Sequence, residues 1–141
     1  TIYIALLNDD KTKEYFQTVN YTFSAASSLP EQVAKNWFKL LNLKIYEGYG
    51  LTETSPFASY NHEIKHKTGS IGAPVENVEM GIIDDSNNFL EVGETGEIVI
   101  KGPNVMKGYY KKDKETADTI FNGWLKTGDI GYRDEEGYFY I

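Results

Sequence analysis

The chain has 141 residues, 40% of them hydrophobic and 14% aromatic, enough apolar material for one ordinary core. Its formal net charge of -7 argues against nucleic acid or an anionic membrane surface as the main partner. There is no cysteine, which removes disulfides and thiolate metal sites and suits a cytoplasmic protein, and no apolar run approaches the ~20 residues of a membrane-spanning helix.

Residues 1–8 read as the tail of a helix, and residues 20–24, Asn-Tyr-Thr-Phe-Ser, are β-prone. Ser28-Leu29-Pro30-Glu31 fits a capping box with Pro30 in the first helical turn. Val33, Ala34, Trp37, Phe38, Leu40 and Leu41 then recur at helical spacing and predict one broad buried face. Leu43 to Tyr46 reads as a short apolar strand. Strand, helix, strand in this order predicts a βαβ unit of a parallel sheet.

The pattern changes after about Lys67. Turn signals recur at Asp84–Asn88, Gly93–Gly96, Asn122-Gly123 and Asp134–Gly137. The segments between them, 78–83, 97–101, 124–127 and 138–141, predict an antiparallel sheet or small barrel. Asp113 to Phe121 reads as a helical insertion with Asp113 as N-cap and Ala117, Ile120 and Phe121 facing inward. The fold class expected is therefore α/β plus β. Residues 1–55 form the end of a parallel α/β subdomain, and residues 56–141 a mainly antiparallel sheet or distorted β-barrel. The chain opens without Met and stops on Tyr-Phe-Tyr-Ile, as an internal fragment of a longer protein would.

One stretch, Tyr46-Glu-Gly-Tyr-Gly-Leu-Thr-Glu-Thr-Ser-Pro56, concentrates groups that suit a nucleotide. It follows a predicted strand, and in open α/β sheets ligands sit beyond the carboxyl ends of the strands. Gly48 and Gly50 offer a bendable, uncluttered backbone. The other strand of the unit runs into Ser24-Ala25-Ala26-Ser27-Ser28, also small. A flat ligand fits against such residues, with Tyr49 over its other face. Thr52 can donate to a phosphoryl oxygen, and Glu53 is a hard anionic ligand suited to Mg²⁺. The same residues also read as a plain strand-to-loop turn around a buried tyrosine.

Two other function classes stand beside this one. His62-Glu63-Ile64-Lys65-His66 matches H-E-x-x-H, in which a helix presents both histidines to zinc and the glutamate acts as general base. The surroundings are poor for it: no apolar helical pattern encloses it, and Gly69 and Pro74 follow closely. The other class is a non-catalytic β-rich interaction module.

Taken together, the motifs resemble the acyl-adenylate-forming enzymes: acyl-CoA synthetases, firefly luciferase and peptide-synthetase adenylation domains. Gly48-Tyr-Gly-Leu-Thr-Glu53 is the central match. Ser24-Ala25-Ala26-Ser27-Ser28-Leu29-Pro30 resembles the family's small-residue adenine stretch. Gly69-Ser70-Ile71-Gly72-Ala73-Pro74 resembles its Gly-Ser-x-Gly-x-Pro segment. Gly96-Glu97-Ile98, Gly108-Tyr109-Tyr110, and Gly123-Trp124-Leu125-Lys126-Thr127-Gly128-Asp129 resemble later family blocks in the same order. Ala25-Ala26 stands where the family has Gly-Gly, Ser28 where it has Pro, and Lys126 where it often has Arg or His.

The resemblance implies roles. Gly48, Tyr49 and Gly50 with Ala26 and Ser27 hold adenine, Tyr49 by stacking. Thr52 contacts the α-phosphate, Glu53 ligates Mg²⁺, and Asp129 grips the ribose hydroxyls. Phe57 and Ala58 border the acyl pocket. The implied protein is most like a fatty-acyl-CoA ligase, with ATP, Mg²⁺ and coenzyme A as its cofactors and a carboxylic acid as substrate. The family's phosphate loop and late catalytic lysine have no match in this chain. The isolated chain is therefore expected to be inactive, and to self-associate through its open strand edges.

Overall fold

A tryptophan organises the first forty residues. Trp37 is fully buried, and the rings of Tyr3 and Phe16 each meet it edge-on at a centroid distance of 4.9 Å. In the computed structural model, which describes residues 2–27 and 29–141, Tyr3 lies on helix α1 (Ile2–Leu7) and Phe16 ends helix α2 (Thr12–Tyr15). Trp37 sits on helix α3 (Glu31–Leu41). The buried stripe of α3 is narrower than its periodicity predicts: Val33, Ala34, Leu40 and Leu41 are half-buried and Phe38 is 47% exposed. Pro30, not a serine, is its N-cap, with no side-chain capping bond, and Ser28 of the predicted capping box lies outside the described residues. The helix stops where Asn42 turns left-handed and returns its N–H to the Phe38 carbonyl.

Strand β1 (Thr22–Ser24) pairs in parallel with β2 (Ile45–Tyr49), Thr22 opposite Ile45. The predicted βαβ unit is present. Strand β2 runs further than expected and takes in Glu47, Gly48 and Tyr49. Two short antiparallel strands, β3 (Ser59–Tyr60) and β4 (Ala73–Pro74), continue the sheet in the order β1-β2-β3-β4. Two residues are too few to show any period, so neither strand is legible in the sequence.

A second sheet, antiparallel throughout, orders its strands β5 (Glu79–Ile83), β6 (Gly96–Lys101), β8 (Trp124–Arg133), β7 (Ile120–Phe121). Strand β9 (Phe139–Tyr140) pairs with β8. Ile98, Val99 and Ile100 are successive and fully buried, so both faces of β6 are covered. Ile120 and Phe121 belong to a strand rather than to the predicted helix. Helix α4 (Asp113–Thr119) ends before them, buries no residue, and has Lys112 as its N-cap; Ala117 is exposed. The helix is polar all round apart from Ala117, so nothing pulls it inward.

The segment Lys67–Pro74 joins the two sheets. Ile71 N–H donates to the Phe139 carbonyl at 2.9 Å and Phe139 N–H to the Gly72 carbonyl at 3.0 Å. Lys67 Nζ lies 2.7 Å from Asp134 and 2.6 Å from Glu136. Burial alone would raise the Asp134 carboxyl. The Lys67 ammonium, the Tyr138 and Glu136 N–H groups and the Tyr140 hydroxyl outweigh it and hold the group below its ordinary 3.8. A depressed carboxylate contributes stability above its unfolded pKa and loses it as pH falls through the folded value. Asp134→Asn should therefore cost stability at pH 6, and the gap from wild type should close below about pH 4. Urea melts across that range test this; parallel profiles would show that Asp134 carries no linked proton.

Candidate functional site

The two glycines of the central motif are explained by crowding, not by bending. Neither takes a positive φ. A Cβ on Gly48 would stand 2.7 Å from the Phe23 ring, and one on Gly50 would overlap the Pro56 carbonyl oxygen. A backbone atom cannot rotate away as a side chain can. Gly50→Ala should cost about 3 kcal/mol, read as a lowered urea midpoint; an unchanged midpoint would contradict this packing.

After Gly50 the chain makes a single 3₁₀ turn, Thr52–Thr54. Thr54 fixes it and is fully buried. Leu51 N–H donates to Thr54 Oγ1 at 2.9 Å, and that hydroxyl lies 3.0 Å and 2.8 Å from the Leu51 and Pro56 carbonyl oxygens. The Ala58 N–H then returns to the Tyr49 carbonyl at 2.9 Å. Thr52 is left exposed and Glu53 half-buried at the tip of this loop.

A cavity of about 280 Å³ opens at the end of β2, and its lining includes Ala26, Ser27, Gly48, Tyr49, Gly50 and Asp129. Every residue to which the sequence gives an adenine or ribose role meets here, although Ala26 and Asp129 are far apart in the chain. Ser24, Glu47, Leu51, Ile71 and Ile141 complete the wall. Thr52 and Glu53 do not line it; they stand beyond Leu51. Ala26 takes a φ of 71°, the left-handed region that favours glycine, so the alanine in place of the family's glycine carries backbone strain. A larger cavity of about 420 Å³ lies between α3 and β2, and Glu47 lines both.

Asp129 reaches the cavity through an irregularity in β8. The pairing of β6 with β8 runs from Glu97 opposite Ile130 to Val99 opposite Lys126, so Thr127-Gly128-Asp129 bulges out of the ladder. Gly128 has a φ of 78°; its N–H donates to Glu97 Oε1 at 2.8 Å, and the Asp129 N–H to Thr127 Oγ1 at 3.1 Å. The outcome is a bond that the sequence does not suggest: Tyr49 Oη donates to Asp129 Oδ2 at 2.6 Å. Burial, then this bond, pushes the pKa of the Tyr49 phenol well above its ordinary value, so it stays a neutral donor. The body of Tyr49 packs in the main core with Ala58, Ile82, Ile98 and Phe139. Ala58 is fully buried there and presents nothing to an acyl chain, whereas Phe57 is 42% exposed.

A sequence model of the AMP-binding enzymes matches residues 1–110. The chain belongs to the AMP-binding enzyme family. It is 42% identical to the long-chain-fatty-acid–CoA ligase of Salmonella typhimurium and 43% to that of Bacillus subtilis, each over 100% of this chain. It spans 26% of the length of each of these curated relatives. The crystal structure of the anthranilate CoA ligase AuaEII in complex with anthranoyl-AMP superposes with a TM-score of 0.90 at 26% identity, over 98% of this chain and 27% of that one. The mixed sheet followed by the antiparallel sheet is thus the arrangement that this AMP-binding chain shares with that ligase over nearly its whole length.

The zinc alternative falls for this AMP-binding chain. Residues 62–66 are not helical; 63–65 form a bend. The His62 ring lies against Tyr60 and the His66 ring against Tyr46, at centroid distances of 5.5 Å and 5.4 Å. Burial and the nearby Lys44 lower the His66 imidazole. Among the described residues no group of three acidic, histidine or cysteine side chains is placed to hold a metal ion. Mg²⁺ is commonly held by one or two carboxylates together with substrate phosphates rather than by an all-protein cage. Glu53, with its hard oxygen donors and neighbouring Thr52 hydroxyl, fits that mode.

Proposed function

We propose that the full-length protein carrying this chain is an ATP-dependent acid–thiol ligase. It activates a carboxylic acid, a long-chain fatty acid, as acyl-AMP and transfers the acyl group to coenzyme A. The observation that carries the reading is the convergence of Ala26, Ser27, Tyr49 and Asp129 on one cavity at the end of a parallel strand. The names of the curated relatives support the acid and the thiol.

In the first step a carboxylate oxygen attacks the α-phosphorus of ATP and pyrophosphate leaves. In the second the thiol sulfur, its proton passing to solvent, attacks the acyl carbon and AMP leaves, taking the electron pair of the acyl–oxygen bond. Tyr49 and the small residues opposite it orient the base. Asp129 has acceptor sites for both ribose hydroxyls while still accepting from Tyr49. The exposed Thr52 hydroxyl donates to an α-phosphate oxygen, and Glu53 holds Mg²⁺. Mg²⁺, when bound, offsets the charge of two anions brought together.

The same reading assigns residues 1–55 to the α/β subdomain and 56–141 to the β subdomain, and places the protein in the cytoplasm; among the described residues no helix is long and apolar enough to cross a membrane. The chain in isolation self-associates, because β1 is an edge strand and Phe23 and Phe38 are exposed, and it does not turn over, because the family's phosphate loop and late catalytic lysine have no match in it. The test is a pyrophosphate-release screen of the full-length protein across fatty, aryl and amino acids. Release that depends on long-chain fatty acid and coenzyme A is the expected result. Release with amino or aryl acids alone would overturn the substrate, and no release with any acid would overturn the reaction.

A further inference from the structure

The carboxylate of Glu53 is held by a side chain that arrives from the other sheet. Tyr109 Oη donates to Glu53 Oε1 at 2.8 Å. The same connection, between β6 and α4, grips the backbone around it. Met106 N–H donates to the Glu53 carbonyl at 2.8 Å, and Asn104 Nδ2 donates to the Thr54 and Phe57 carbonyls at 3.0 Å and 2.7 Å. The gripping segment is itself fixed from behind. Tyr109 N–H donates to Thr116 Oγ1 at 2.9 Å, and that hydroxyl donates to the carbonyl of Lys112, the N-cap of α4, at 2.8 Å. Gly108 fits only without a side chain: a Cβ there would come 2.7 Å from Thr116 Cγ2.

The consequence is an oriented carboxylate. A lone half-buried glutamate on a loop tip has several rotamers, and fixing one costs entropy at the moment of binding. With Oε1 taken by Tyr109 the rotamer is chosen in advance. Among the described residues no hydrogen bond reaches Oε2, so that oxygen is available to a ligand. We propose that Tyr109 is a positioning residue for Glu53, setting its carboxylate for the divalent cation of the nucleotide complex. The proposal rests on the reading of Glu53 as the carboxylate that holds that cation. Partners of this kind, which orient a metal's ligand without touching the metal, change affinity about tenfold or more when removed.

The experiment uses the full-length protein with Mn²⁺ as probe and an ATP analogue whose α–β bridge is methylene, so that no reaction occurs. Mn²⁺ binding is followed by electron paramagnetic resonance in wild type, Tyr109→Phe, Thr116→Val and Glu53→Gln. Tyr109→Phe should weaken Mn²⁺ about tenfold and raise the Mg²⁺ concentration that half-saturates pyrophosphate release. Activity at saturating Mg²⁺ should fall less than about threefold, because the carboxylate itself remains. A merely structural tyrosine would instead lower the melting temperature and leave Mg²⁺ dependence alone. Thr116→Val loosens Tyr109 without touching Glu53 and should act in the same direction, so it decides the matter if Tyr109→Phe does not fold. If Glu53→Gln weakens Mn²⁺ but neither Tyr109→Phe nor Thr116→Val does, Tyr109 is no positioning residue although the reading of Glu53 stands. If Glu53→Gln also binds Mn²⁺ as wild type does, the reading of Glu53 fails and the proposal goes with it.

Discussion

Glu53→Gln in the full-length protein is expected to slow adenylation about a hundredfold or more, with little change in stability. The substitution is nearly isosteric. The amide oxygen still accepts from Tyr109, and the Glu53 backbone still accepts from Met106. What disappears is one negative charge at the point where the proposed reaction brings the attacking carboxylate and the triphosphate together. A neutral amide is a poor partner for a hard dication, so charge developing at the α-phosphorus is less well offset. On the proposed reading the loss should fall mainly on the rate at saturating ATP, because that reading puts the base and ribose elsewhere, in the cavity bounded by Tyr49 and Asp129. Single-turnover formation of acyl-AMP, followed by quenched flow, separates this step from thiol transfer. A variant that formed acyl-AMP at the wild-type rate would remove Glu53 from the chemistry.

The parts of this structure that could be read from sequence are those with a period or a crowded motif. Strand β1, helix α3 and strand β2 follow from β-prone, helical and apolar runs in succession. The continuous apolar runs Met80–Ile83 and Ile98–Ile100 mark strands covered on both faces. What stayed hidden is short, irregular or decided by tertiary contact. Strands β3 and β4 have two residues each. Helix α4 ends two residues early because Ile120 pairs with Leu125 in a strand instead. Gly48 and Gly50 look like hinges in a sequence, yet serve close approach. Thr54 reads as one more hydroxyl in Thr-Glu-Thr-Ser, while its burial makes it the fixed point of the turn. Glu47 carries no obvious signal either: it sits mid-strand between two cavities, where burial raises its carboxyl despite a long bond from the Leu29 N–H.

The bond between Tyr49 and Asp129 makes the last expectation sharper than either residue alone would. Asp129→Ala should raise the KM for ATP about a hundredfold and leave the rate at saturating ATP within a few-fold of wild type. On the proposed reading two charge-assisted hydrogen bonds to a vicinal diol are lost, each worth roughly 1.5–3 kcal/mol, and water recovers part of this. The remaining ~2.7 kcal/mol corresponds to two decades in affinity. Asp129 sits on a bulge held by Gly128 and Thr127, so truncating its side chain leaves β8 paired. Tyr49→Phe keeps the ring that covers the base and the packing in the core. It removes only the hydroxyl that holds Asp129 Oδ2, and should raise the KM about tenfold or less. On that reading the two effects share one cause, since the tyrosine hydroxyl would act on the nucleotide through the aspartate. The double variant should therefore be no worse than Asp129→Ala alone. Isothermal titration of AMP into the four proteins measures the cycle directly. Strict additivity would mean that the 2.6 Å bond between the two side chains has no part in holding the ribose. An unaltered affinity in Asp129→Ala would remove the nucleotide from this cavity altogether.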